Sequence, residues 1–244
     1  PPSLLFLWRR ESVDSLMPDK RNNHGEIRDL TQGPIRKQLI SFALPLFAGS
    51  LIQLLYNTVD LMFVGRVLGT EASAAVGASS LIVTCILGAF TGLSVGVGVV
   101  TAKAVGSGNI GRLNQIIHCA AGLTCVLSLV FTVLGLIMAP EFLRWIQTPA
   151  DVLESATAYL RLYLLSLISI VSYNMGSGIL RALGNTKSPT LYQLAGGIAN
   201  IIGNTLFICF LDWGVQGAAL ATACSQGLAA FLIIRHLCTI KTPY

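Results

Sequence analysis

The sequence predicts an all-α integral membrane protein with six transmembrane helices, and three observations predict it. Only 11% of the 244 residues are charged while 53% are hydrophobic, and the mean hydropathy is +0.70. Soluble domains average about 25% charged residues. Six apolar runs are each long enough to cross a bilayer core of about 30 Å at about 1.5 Å per helical residue. The connections between those runs alternate in charge character without a break, as positive-inside topology requires.

Residues 1–33 mix charges of both signs with Asn, Pro and Gly, and read as a soluble, mobile cytoplasmic tail. Leu4 to Leu7 is too short for the apolar core of a signal peptide. Gly33-Pro34 closes the tail, with Pro34 suited to the first turn of a helix. A membrane lobe over 34–240 follows, with spans near 37–65, 74–101, 114–138, 158–180, 189–211 and 215–237. Helices are the expectation, because a helix satisfies its own backbone polar groups in lipid. The chain opens on Pro1 rather than Met and stops at Tyr244 just past an apolar run, so whether it is part of a longer protein stays open.

One side of the membrane receives Arg36, Lys37, Lys103, Arg112, Arg181, Lys187, Arg235 and Lys241, with no acidic residue among them. The other receives Arg66, Arg144 and Arg161 together with Glu71, Glu141, Asp151, Glu154 and Asp212. This asymmetry predicts that both ends of the chain are cytoplasmic. Thr148-Pro149-Ala150-Asp151 has the order of an N-cap, a first-turn proline and a dipole-matched acid. Gly106-Ser-Gly-Asn-Ile-Gly111 is a cytoplasmic turn whose spacing and context are wrong for a phosphate loop. Leu211-Asp-Trp-Gly214 is a tight external turn with Trp213 at the membrane interface.

Composition also excludes function classes. The net charge of +5 comes from residues at the ends of apolar runs, not from a nucleic-acid patch. Cys85, Cys119, Cys125, Cys209, Cys224 and Cys238 form no CxxC pair and read as small packing residues. His24, His118 and His236 are scattered, and no cofactor site is written. An intramembrane enzyme needs a nucleophile–base pair or metal ligands at membrane depth, and neither is present.

Asp60 is the acidic residue that lies inside an apolar run; the others fall in the tail or the connections. Such a group costs about 2.5–3.5 kcal/mol at membrane depth and is retained for a task. Gln53, Tyr56, Asn57 and Asp60 share one helical stripe, which reads either as a packed polar seam or as the wall of a water-filled cavity or ion site. Asp60 lies toward the outer end of its span, a position open to wetting from outside. Pro45, about four turns earlier, permits a kink. Gly88, Gly92 and Gly96 at spacing four, with Gly98 nearby, offer a face for close helix approach. Asn200 and Asn204 form an i,i+4 pair in the fifth span. Thr222, Ser225 and Gln226 lie in the sixth, and Ser172, Tyr173 and Asn174 in the fourth. Amide and hydroxyl oxygens beside one carboxylate are hard ligands for a small cation such as Na⁺, and the carboxylate alone can carry a proton.

Three stretches carry a resemblance: Ala43-Leu-Pro45 through Gln53 to Tyr56-Asn-Thr-Val-Asp60-Leu-Met-Phe-Val-Gly65; Gly178-Ile-Leu-Arg-Ala-Leu-Gly-Asn-Thr-Lys-Ser-Pro189; and Asn200-Ile-Ile-Gly-Asn204 followed by Trp213-Gly-Val-Gln-Gly-Ala-Ala-Leu-Ala-Thr222. In order and spacing they resemble the multidrug and toxic compound extrusion (MATE) transporters, bacterial branch. The resemblance implies a twelve-helix exporter of two six-helix lobes in the plasma membrane (the bacterial inner membrane), exchanging drugs or organic cations for Na⁺ or H⁺. This chain resembles the amino-terminal lobe, so the implied partners are the bilayer, small-molecule substrates and a second six-helix lobe. By the same resemblance, Asp60 binds the coupling ion, Asn200 and Thr222 help line that site, and Gln53 and Tyr56 face the cavity. Asn57 and Asn174 join the cavity set, and Pro45 is the point where the first helix bends. Many relatives carry an aspartate where this sequence has Asn204, so the site has one charge fewer. A lipid-linked precursor flippase of the same superfamily is a second transporter reading; it calls for a more cationic cavity, and no Lys or Arg sits mid-span. A half-transporter that works only when paired with a second lobe, or not at all, is the structural reading.

Overall fold

The computed structural model describes residues 35–239, so the predicted tail over 1–33 and the last five residues lie outside the described region. Seven α-helices follow one another: α1 Ile35–Leu68, α2 Thr70–Gly106, α3 Ile110–Trp145, α4 Ala150–Leu165, α5 Leu167–Ala182, α6 Lys187–Asn204 and α7 Gly214–Thr239. A π-helical segment, Thr205–Phe210, continues α6. No strand occurs among the described residues. Five of these stretches are apolar and long enough to cross a membrane by themselves; α4 and α5, bent by 47° at their junction, make up a sixth.

That bent pair replaces the single span read over 158–180, and its start agrees with the helix beginning read from Thr148-Pro149-Ala150-Asp151. The helix begins earlier, at Ala150, and breaks at Ser166. A break frees backbone carbonyls, which in lipid need donors. Ser166 Oγ donates to the Tyr163 carbonyl at 2.6 Å, and Thr132 Oγ1 of α3 donates to the Leu164 carbonyl at 3.1 Å. The expected Thr148 cap is also absent. Pro149 takes the N-cap position of α4 without a side-chain bond, and Thr148 Oγ1 is buried with no partner. The Thr148 N–H instead donates to the Leu143 carbonyl at the end of α3, so the residue closes the helix before it rather than opening the one after. Pro140 within α3 cannot donate to Leu136, and Arg161 Nε of α4 supplies the missing donor at 3.2 Å.

Three apolar clusters join the helices. The first takes Phe90 from α2, Leu143 from α3, Leu160 and Leu164 from α4, and Val171 from α5. The second takes Leu113 from α3, Leu180 from α5 and Ile233 from α7. The third gathers Val64, Val76, Tyr159, Ile208, Ala218 and Ala219 from α1, α2, α4, the π segment and α7. Helix α7 packs on α4, α5 and α6, and α6 also receives α1. Small residues allow this closeness: a Cβ on Gly203 would stand 3.0 Å from the Ala221 methyl, and one on Gly217 3.1 Å from the Phe207 carbonyl oxygen.

Two sequence expectations change here. Gly88, Gly92 and Gly96 face open space, and α2 makes its close approach through Gly98, against the Gly178 backbone. Gly98 lies off the spacing-four series, so that pattern marked the wrong face. The six cysteines are free but exposed, not packed. Glycine, alanine and serine hold the tight interhelix positions, leaving the polarizable thiols on outer faces, where lipid tolerates them.

These contacts predict a contrast. A Cβ on Gly178 would stand 2.7 Å from the Ser94 carbonyl oxygen, a backbone atom that cannot move aside, whereas one on Gly92 meets nothing within 4 Å. Gly178→Ala is expected to cost about 1–3 kcal/mol of stability through overpacking, while Gly92→Ala is neutral or gains up to about 1 kcal/mol of helix propensity. Thermal unfolding of the two variants in detergent checks the difference.

Candidate functional site

The site is built on α1, α6 and α7 toward the end of the lobe where α1 passes to α2 and α6 to α7. Asp60 is the one charged residue among the buried polar groups described, with 8% of its surface exposed. Its Oδ1 accepts a hydrogen bond of 2.6 Å from Asn204 Nδ2. The same Asn204 amide nitrogen donates to Asn200 Oδ1 at 3.0 Å, and Asn200 Nδ2 donates to Thr222 Oγ1 at 3.3 Å. A ladder therefore runs from a carboxylate on α1 through two amides on α6 to a hydroxyl on α7. Asn200 and Asn204 are each 1% exposed and Thr222 3%. The i,i+4 spacing stacks the two amides on one helix face.

The closing of this site departs from the expectation that Asp60 is wetted from outside. Val64, one turn beyond Asp60, Ile208, one turn beyond Asn204, and Ala218, one turn before Thr222, meet in the third apolar cluster. Val64, Ile208 and Ala218 thus place buried apolar groups between the ladder and the α1–α2 and α6–α7 connections. One consequence is electrostatic: with water excluded, each polar contact to the carboxylate is stronger than at a surface. The second concerns satisfaction. Asn204 Oδ1 is buried and has no hydrogen-bond partner, which costs about 1–3 kcal/mol unless another group meets it. The amide presents its nitrogen to the carboxylate, so its oxygen is directed elsewhere.

The α1–α6 seam extends toward the start of both helices. Gln193 Nε2 donates to Gln53 Oε1, and Thr190 Oγ1 donates to the Pro45 carbonyl at 3.0 Å. Helix α1 runs unbroken through Pro45. The side chains of Tyr56 and Asn57 lie outside the described region. Asn174 is not part of the ladder: its amide nitrogen bonds its own helix at Ile170, and its carbonyl accepts from Ser94 Oγ of α2. Ser225 Oγ donates within α7 to the Thr222 carbonyl. Gln193 and Thr190 were not singled out from the sequence, although they precede Asn200 by seven and ten residues and so share its face.

A depression of about 470 Å³ lies between the connections of α1–α2, α3–α4 and α6–α7, lined by Glu71, Asp151, Asp212 and Trp213. Trp213 stacks on Phe207 with ring centroids 5.6 Å apart. No group of three or more His, Cys, Asp or Glu side chains suited to a metal occurs among the described residues. The ladder's polar atoms are carboxylate, amide and hydroxyl, with no thiolate or imidazole among them.

The MatE family profile matches residues 45–206, from Pro45 in α1 to the start of the π-helical segment after α6, and so includes both asparagines of the ladder. The chain belongs to the MatE family. Members of this family are transporters, not enzymes. A relative from Bacillus subtilis (strain 168), a probable multidrug resistance protein, is 31% identical over 212 residues, covering 85% of this chain and 48% of the relative. A FAD transporter from Shewanella oneidensis is 28% identical over 225 residues, 88% of this chain and 49% of that protein. Among solved structures, a MATE transporter in the bent conformation superposes with a TM-score of 0.81 at 29% identity, over 87% of this chain and 47% of that one. A multidrug resistance MATE transporter in an outward-facing conformation superposes at 0.82 and 28% identity, over 92% and 49%. The chain spans about half the length of the curated relatives it matches, so the described helices are the equivalent of one lobe of a MatE protein.

If the ladder is one unit, its parts are not independent. Asn204→Leu is expected to cost about 1.5–3 kcal/mol, because it strips a buried carboxylate of its charge-assisted bond. Adding Asp60→Asn should recover part of that loss, giving a non-additive double-mutant cycle. Thermal unfolding of wild type, both single variants and the double variant measures the coupling; strict additivity contradicts the ladder.

Proposed function

We propose that this chain is one lobe of a cation-coupled antiporter that exports drugs or organic cations across the cytoplasmic membrane, with Asp60 as the coupling-ion site. The observation that carries the reading is the buried Asp60 carboxylate beside the partnerless Asn204 Oδ1. In the arrangement seen, an amide N–H of Asn204 partly offsets the carboxylate. A Na⁺ ion competes for the same carboxylate and needs oxygen donors, which Asn204 Oδ1, Asn200 Oδ1 and Thr222 Oγ1 supply once the Asn204 amide turns. A proton competes more simply, by removing the charge that Asn204 serves. Either occupant weakens the bond between α1 and α6, and that bond is the handle by which ion binding biases one lobe conformation over another.

Several features support the rest of the reading. The connections carrying Glu71, Asp151 and Asp212 gather at one end of the lobe, consistent with an extracellular face and cytoplasmic chain ends. The described seam between α1 and α6 presents amides and hydroxyls through Gln53, Gln193, Thr190 and Asn204, which suits neutral or cationic substrates. Relatives named for multidrug resistance point the same way. With Asn204 in place of an acid, the ladder holds one carboxylate, matched in charge to one monovalent ion per cycle. The second lobe, in the same chain or another, completes the central cavity.

The test uses sealed vesicles containing the full-length protein that carries this chain. An imposed inward Na⁺ or H⁺ gradient should drive efflux of ethidium, and Asp60→Asn should reduce the driven component to background while leaving the protein folded. Coupled efflux at the wild-type rate in Asp60→Asn contradicts the reading.

A further inference from the structure

The bonds that join α1 to α6 are spread along the whole seam: Thr190 to Pro45, Gln193 to Gln53, and Asn204 to Asp60. The first differs from the others in kind, because it ends on backbone. Thr190 Oγ1 lies 3.0 Å from the Pro45 carbonyl oxygen and 3.0 Å from the Thr186 carbonyl oxygen, so one hydroxyl proton is shared between its own helix and the facing one. It meets α1 at the turn that Pro45 weakens by lacking an N–H. The approach there is close, since a Cβ on Gly49 would stand 3.3 Å from Thr190 Oγ1. Glycine in the interior of a membrane helix at this point lets the hydroxyl reach the backbone.

Leverage follows from the geometry. Asp60 lies fifteen residues beyond Pro45 on a continuous helix, about 22 Å along the axis at about 1.5 Å per residue. A tilt of about 5° about Pro45 moves Asp60 sideways by about 2 Å, enough to make or break a hydrogen bond of ordinary length. Apolar packing does little to resist such a tilt, because Asp60 and Val64 are the buried residues of α1 among those described.

We propose that Thr190 is a positioning residue for the ion site: by holding the Pro45 turn against α6, it sets the pivot about which α1 carries Asp60 to Asn204 and away again. This inference rests on the reading of Asp60 as the coupling-ion site. Thr190 touches neither ion nor substrate; it acts through the placement of α1. Without the shared hydroxyl the pivot slides, and Asp60 meets its amide partners in a smaller fraction of the molecules.

The experiment is driven ethidium efflux in vesicles of the full-length protein, titrating the driving cation, with thermal unfolding measured on the same preparations. Thr190→Val keeps the shape and removes the donor. It is expected to raise the half-saturating concentration of the driving cation by about fivefold, with the maximal rate changed by less than about twofold. Thr190→Ser restores the donor and should restore the wild-type concentration. Gly49→Ala, which pushes on the Thr190 hydroxyl from α1, should shift the concentration in the same direction and decides the matter if Thr190→Val fails to fold. Wild-type titrations for Gly49→Ala and for a folded Thr190→Val, with Asp60→Asn inactive, overturn this inference alone. Undriven wild-type efflux, or full activity of Asp60→Asn, overturns the reading beneath it.

Discussion

The hydrogen bond between Asn204 and the Asp60 carboxylate is the contact on which this end of the lobe depends. A carboxylate at membrane depth is costly, and a charge-assisted bond of 2.6 Å is the main compensation the protein provides for it. Everything required to make that bond is visible in neighbouring elements. The asparagines stack because they stand four residues apart, and α7 brings Thr222 within reach because Gly203, Gly217 and Ala221 let the two helices approach. The π-helical turn begins at the residue after Asn204. Such turns favour functional positions, since they change the helix register beside a side chain that has to be aimed.

The same contact explains why α1 is the element suited to move. Helices α5 and α7 are anchored by many buried apolar residues, while α1 offers few and relies on polar bonds along one edge. Breaking a net hydrogen bond costs about 0.5–1.5 kcal/mol, whereas extracting a helix with a full apolar face costs far more. An ion that changes the character of one of these bonds therefore acts on an equilibrium of suitable size. Placing the bonds on a single facing helix, α6, makes that helix the reference against which α1 is measured. The Asn204 oxygen, which meets no protein donor, adds a chemical bias, because turning the amide would bring it toward Asp60.

Much of this was legible in the sequence. The helical class and the six spans follow from apolar run length and charge alternation, both governed by the bilayer rather than by detailed packing, while the reading as one lobe came from the resemblance to a family. Asp60, Asn200, Asn204 and Thr222 stood out because polar side chains in apolar runs are expensive, and the structure draws those residues into one ladder. What escaped depended on partners that lie far apart in the chain. Thr190 and Gln193 matter through Pro45 and Gln53, about 140 residues away, and a threonine or glutamine near a helix start attracts no notice by itself. The spacing-four glycines suggested a packed face, but spacing does not reveal which side of α2 meets a neighbour. The bend at Ser166 and the use of Thr148 to close α3 turn on local competition for carbonyls, which hydropathy does not register. Asn174 was grouped with the cavity by its polarity, yet its amide is used within its own helix.

The central claim is that one carboxylate in this lobe senses the coupling ion, and difference infrared spectroscopy of the carboxyl bands addresses it directly. Purified full-length protein in lipid is exchanged between Na⁺-containing and Na⁺-free buffer, and separately between two pH values. The account predicts that at least one exchange perturbs a carboxyl band that is missing from Asp60→Asn and altered in Asn204→Leu. The same difference spectrum from wild type and Asp60→Asn, under both exchanges, would contradict it.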